Sequence, residues 1–111
     1  MPWYYDPHSG GIKIPPTKHW MISAKVEAYM KTRPWYPKIT LRTRFRGQLC
    51  YVDSIEDGKP CPLARLRHFT MDSWSLGFFA YSNERYQPCL INGKDMGSIE
   101  DAIAECEIYL S

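Results

Sequence analysis

The sequence predicts an α+β domain, an antiparallel meander of about five strands with two helices packed on one face of the sheet. Three observations carry that expectation. Near each end of the chain, apolar residues recur at three- and four-residue spacing, the pattern of a helix with one buried stripe. Between those segments the period changes to two, and the runs are broken by turn pairs such as Asp57-Gly58 and Asn92-Gly93. Strands that follow one another across such short turns lie antiparallel. The 111 residues bound the chain to one domain over 1–111 with one core, and 44% hydrophobic content suffices to fold it without disulfides or a cofactor.

Residues 1–16 form an irregular arm, because Pro2, Pro7, Pro15, Pro16 and the pair Gly10-Gly11 forbid regular structure. Trp3, Tyr4 and Tyr5 predict that this arm is docked, since a solvated tail rarely carries three aromatics together. Thr17 is a candidate N-cap for a first helix over 17–32. Met21, Ala24 and Ala28, with Ile22, Val26 and Tyr29, mark its apolar side, and Pro34 stops it. From Lys38 the alternation begins, with Ile39, Leu41, Thr43 and Phe45 on one face and Thr40, Arg42, Arg44 and Arg46 on the other. Gly47 permits a hairpin or a bulge. A two-residue turn at Arg46-Gly47, the preferred reading, puts Cys50 and Val52 in the core with Leu41 and Thr43. Leu49 and Tyr51 then fall beside the arginines, and a three-residue turn reverses this.

After Asp57-Gly58 a strand is expected over 61–69. The run 74–81 is apolar on both faces and reads as a central strand covered on each side. A strand over 85–91 follows, with Pro88 marking an edge or bulge, and Asn92-Gly93 leads to a short last strand near 94–96. Ser98 and Asp101 resemble a capping pair for a second helix, whose buried side carries Ile99, Ala102, Ile103 and Cys106.

A net charge of +2 is too mild to identify a nucleic-acid binder from composition, so any basic patch must be local. No segment has the length and apolarity of a membrane span or a secretory signal, which leads us to expect a cytoplasmic protein. Cys50, Cys61, Cys89 and Cys106 show neither a CxxC pair nor metal-ligand spacing, so they read as small core residues, and no metal or cofactor is expected.

Three segments carry a family resemblance over most of the chain. Trp3-Tyr4-Tyr5-Asp6-Pro7-His8-Ser9-Gly10-Gly11 with Ile14-Pro15-Pro16, Arg44-Phe45-Arg46-Gly47-Gln48 running to Cys50-Tyr51-Val52-Asp53, and Tyr81-Ser82-Asn83-Glu84-Arg85-Tyr86 together resemble a family of small bacterial proteins of uncharacterised function. The resemblance implies a common fold and no particular activity, and it points to the product of a mobile gene cassette of the integron type. Family members often carry a longer insertion after the aspartate matching Asp53. Only the Asp57-Gly58 turn stands there in this chain, so a function housed in that insertion would be missing.

Arg42 and Arg44 on one strand and Arg65 and Arg67 on another are the leading candidate site, converging on the sheet face away from the helices. Guanidinium forks bind carboxylate and phosphate bidentately, and Tyr51, Trp74 or Phe79 nearby would stack a planar ring or a base. The plainer alternative is a solvated face whose arginines pair across strands with Asp53, Glu56 or Glu84. Asp6, His8 and Ser9 fit an acid-base or metal reading, although Asp6-Pro7 is also an ordinary turn start. Cys50 would be reactive only beside a cation, and Gly77 marks either a ligand's close approach or a bend.

No nucleophile elbow, P-loop, dinucleotide fingerprint or HExxH helix is present. We therefore expect a non-enzymatic binding or interaction protein that self-associates as a homodimer through the surface around Trp74 and Phe79. The alternatives are a binder of an anionic planar ligand or single-stranded nucleic acid, through Arg42, Arg44, Arg65 and Arg67 with Tyr51 and Trp74, and a small enzyme using Asp6 and His8.

Overall fold

The computed structural model describes residues 11–70 and 72–110, with Thr70 and Tyr109 described by their backbone alone. Trp3, Tyr4, Tyr5, Asp6, His8 and Ser9, and with them most of the arm, lie outside that range. The first helix, α1 (His19–Lys31), is entered through a 3-10 turn at Pro16–Lys18. Lys18 occupies the N-cap without a side-chain hydrogen bond, and the proline that begins the turn does the work expected of Thr17. Val26 and Met30 are buried, with Ile22 and Tyr29 half-buried, whereas Met21, Ala24 and Ala28 face outward. The buried stripe therefore lies one step around the helix from part of the expected one.

Five strands follow: β1 (Ile39–Arg46), β2 (Leu49–Glu56), β3 (Lys59–Thr70), β4 (Ser73–Ala80) and β5 (Arg85–Cys89). They form one antiparallel sheet in sequential order, so β3 is the middle strand and β4 lies beside the edge. The second helix, α2 (Ile99–Cys106), packs on β3 and β4, α1 packs on β1, and the two helices touch. Both helices thus cover the same face, as expected. No helix among the described residues is long and apolar enough to cross a membrane.

The first hairpin turns at Gly47-Gln48, one residue later than expected, with Gly47 in the left-handed region at φ +59. Phe45 stands opposite Cys50 and Arg44 opposite Tyr51. Because the loop has two residues, the side chains partition as anticipated. Cys50 and Val52 join Ala64, Leu66, Trp74 and Leu76 beneath Val26, Ile103 and Cys106 in the core. The expected strand near 94–96 shrinks to a bridge between Ile91 and Lys94, because the chain turns back to pair Gly97 with Trp74 through backbone bonds of 2.9 and 3.0 Å.

That return sets the entry to α2. Ser98 Oγ accepts from Asp101 N at 3.1 Å, and Asp72 Oδ1 accepts from Trp74 Nε1 at 3.0 Å and from Ile99 N at 3.4 Å. Trp74 is 1% exposed on the helix-covered face, and Ser75, which points to the other face, is 2% exposed. At the other end of the chain, Ile12 N donates to His68 O at 2.8 Å and Ile14 N to Gly47 O at 2.9 Å, which ties the end of the arm to the sheet and buries Ile14.

A side chain at Gly97 has no room, since a Cβ there would stand 2.6 Å from Ile91 Cγ2 and 3.2 Å from Ile91 Cβ. Ile91 is buried and β-branched, so it has no free rotamer to yield. Gly97→Ala is expected to lower stability by about 1–3 kcal/mol, read as a urea midpoint shifted at unchanged slope.

Candidate ligand-binding face

The face of the sheet opposite the helices is fixed by register. Arg44, Tyr51, Arg65, Gly77 and Pro88 form one row across the five strands, and Arg46, Leu49, Arg67 and Ser75 form the next. With Arg42 opposite Asp53, this face carries five arginines and, among these cross-strand rows, the single carboxylate of Asp53. Five of the six residues assigned from the sequence lie together here, namely Arg42, Arg44, Arg65, Arg67 and Tyr51. Trp74 does not, because an even-numbered position on β4 faces the helices, where an indole fills the core. Phe79 is on the open face and half-buried.

The arginines divide into two groups. Asp53 is 2% exposed and accepts from Arg44 Nε at 2.7 Å, Arg44 Nη2 at 3.1 Å and Arg42 Nε at 3.0 Å. Burial by itself raises the Asp53 pKa, but the hydrogen bonds and charges of Arg44 and Arg42 outweigh it and leave the carboxyl below its ordinary value. The expected pairing of arginines with a carboxylate therefore holds for Arg42 and Arg44. Arg65 instead places its guanidinium 5.1 Å over the Tyr86 ring, while Arg44 also covers Tyr51 at 4.9 Å. Tyr86 meets Tyr51 and Phe79 edge to face at 5.7 and 5.1 Å, and Phe79 meets Tyr81 at 4.8 Å, giving a connected aromatic group toward β5. Sequence reasoning missed Tyr86 and Tyr81, although the alternation of Arg85-Tyr86-Gln87 placed the ring on one face.

Two larger cavities lie elsewhere. One of about 630 Å³ is walled by Pro34, Trp35, Tyr36 and Leu110 and carries two carboxylates, Glu56 and Glu107, of which Glu107 is held by Tyr29 Oη at 2.7 Å and Arg33 Nε at 2.7 Å. Burial and then Glu107 push the Tyr29 hydroxyl up to about 12. Trp35 Nε1 is buried and has no hydrogen-bond partner among the described residues. The other, about 260 Å³, contains Asp72, which is committed to Trp74, Ile99 and, at 3.5 Å, Lys25. The first adds Lys38 and the second Lys18 and His68 to these polar groups. On the open face a dip of about 50 Å³ lies among Arg65, Arg67, Ser75, Gly77, Tyr86 and Pro88.

The two buried thiols, Cys50 and Cys106, are poor nucleophiles at neutral pH. Burial pushes Cys50 and Cys106 up to about 12, and the arginine-activated thiol considered from the sequence is absent because Cys50 faces the core. Among the described residues no cluster of His, Cys, Asp and Glu could hold a metal ion. No protein-family model, curated protein or solved structure matches the chain. The class of protein is thus defined by its own geometry, an α+β sheet with one face sealed by helices and the other lined by arginines and aromatic rings.

Two outcomes follow. Native protein at pH 8 should react with iodoacetamide at the partly exposed Cys61 and not at Cys50 or Cys106, as read by peptide mass mapping. Because the folded Asp53 pKa lies below its unfolded value of about 3.9, its stabilisation is complete above that value and is lost as pH falls through the lower folded one. Asp53→Asn should therefore be destabilised by about 2 kcal/mol at pH 7, with the gap to the parent narrowing as pH falls below about 4. A gap constant down to pH 2 would refute this.

Proposed function

We propose that the open face binds single-stranded nucleic acid as a non-enzymatic recognition surface in the cytoplasm, phosphates meeting the arginines and bases meeting the aromatic group. Five arginines against one carboxylate, counted over the cross-strand rows of the described residues opposite the helices, is the observation that carries this reading. Asp53 accepts hydrogen bonds from Arg42 and Arg44 of those five. Phe79 and Tyr86 supply sequence-tolerant stacking surfaces next to that charge.

Self-association through the same face is the second reading, favoured by the exposed Tyr81 beside Phe79. It ranks second because a two-fold contact between two such faces would bring like charges together.

The test is fluorescence anisotropy with a labelled 12-nucleotide oligothymidylate, with light scattering on the same samples. The logarithm of the binding constant should fall with the logarithm of salt at a slope of about −1.4 to −2.8, as for two to four phosphates on a single strand. Tyr86→Ala should weaken binding roughly tenfold. A salt-independent dimer with no affinity for the oligonucleotide at 50 mM salt would replace this reading with self-association.

A further inference from the structure

We propose that the free edge of β1 is a docking site for an extended acidic segment of a partner protein, which adds to the sheet as a sixth strand. Such a site works through main-chain groups at the rim of the sheet and does not depend on nucleic acid binding its open face.

β1 is an outer strand with nothing paired beyond it among the described residues. In an antiparallel ladder, alternate residues turn their N–H and C=O toward the partner strand. The two-residue loop makes Arg46 and Leu49 a bonded pair, so Ile39, Leu41, Thr43 and Phe45 aim their main-chain groups outward. The first two amides are engaged, Ile39 N donating to Trp35 O at 2.9 Å and Leu41 N to Met30 Sδ at 3.1 Å. Those bonds close the front half of the edge. Thr43 and Phe45 have no such bond among the described residues and leave a short ladder for an added strand to complete. The opposite edge, β5, has five residues and carries Pro88, so it is the poorer template.

Charge selects the strand. Arg42, Arg44 and Arg46 stand on the open side of β1 at every second position, about 7 Å apart. An added antiparallel strand places every second side chain on that same side, with Cβ atoms about 5 Å from those of the arginines. Asp53 takes two donors from Arg44 but only Nε from Arg42, and Arg46 is exposed with no ion pair among the described residues. Glutamate or aspartate at alternate positions therefore meets cations in register. A second copy of β1 does not, because two-fold pairing centred on Arg44 sets Arg44 against Arg44 and Arg42 against Arg46. The same arginines thus guard the edge against self-pairing and match it to an acidic partner.

The test is a titration of the isotope-labelled protein with a blocked peptide, Thr-Glu-Val-Glu-Val-Glu-Thr, followed by the backbone amide NMR signals. In register its valines lie opposite Thr43 and Phe45 and its glutamates opposite the three arginines. One control peptide carries lysine for glutamate. Another is N-methylated at both valines, which keeps the charge and removes the donors that face β1. The glutamate peptide should give its largest shifts at the Thr43 and Phe45 amides and slow their hydrogen exchange about tenfold or more, with both controls binding about tenfold or more weakly. Arg46→Glu should lose about tenfold in affinity, whereas Arg85→Glu, at an exposed residue of the far edge strand, binds as the parent does.

Equal binding of the N-methylated peptide would mean charge attraction without strand addition and would overturn the site. So would the absence of binding at about 1 mM glutamate peptide. Thr43 and Phe45 shifts that appear on raising the protein concentration alone would give the edge to a second copy and overturn the acidic partner. None of these outcomes alters the oligothymidylate result, which is read by itself.

Discussion

The two-residue turn at Gly47-Gln48 sets Arg44 opposite Tyr51 and Phe45 opposite Cys50, and the rest of the molecule inherits that register. Side chains alternate with a period of two, so a slip of one residue would drive Arg42, Arg44 and Arg46 under the helices and expose Leu41 and Phe45. Burying an unpaired guanidinium costs several kcal/mol, which makes the alternative pairing inaccessible. The same phase passes into β3, where Tyr51 lies opposite Arg65 and Leu49 opposite Arg67. Helix packing depends on it as well, because His19 stacks on Phe45 at 3.9 Å and Ser23 Oγ lies 2.6 Å from Thr43 Oγ1.

Electrostatics then divide the open face. A carboxylate as deeply buried as Asp53 is stable only because two guanidiniums share it, and in holding them it draws Arg42 and Arg44 toward the sheet. An anion arriving over β1 and β2 has to compete with Asp53 for donors already in use. Over β3 and β4 it meets Arg65, which is stacked on a ring rather than ion-paired.

The architecture was legible because each element carries its own period. The alternation of Arg42 to Arg46, the Ser98 cap and the Asn92-Gly93 turn all reappear in place. The errors share a cause, since local pattern does not report what lies opposite. The run 74–81 looks apolar on both faces, yet Trp74 and Leu76 enter the core while Phe79 stays outside, a division that only the pairing of β4 with β3 decides. Asp53 appeared in the sequence as one of three possible partners for the arginines, and only the cross-strand row selects it. Tyr86 was overlooked because its importance comes from Arg65 and Phe79, neither of which is near it in sequence.

Small residues on an interior strand require a reason. Glycine in a strand costs about 0.5–1 kcal/mol relative to alanine, and Gly77 has room for a methyl group, so packing does not exclude a side chain there. On the face of β4 opposite α2, Ser75 is 2% exposed and Gly77 is buried, so both small residues lie beneath neighbouring side chains. Beside them Arg65 lies on Tyr86 and β5 presents Pro88, a residue that also leaves this edge strand one backbone donor short. Steric exclusion therefore does not account for a glycine at position 77, where a methyl would meet Gln87 O and Tyr86 Cβ at an ordinary 3.5 Å.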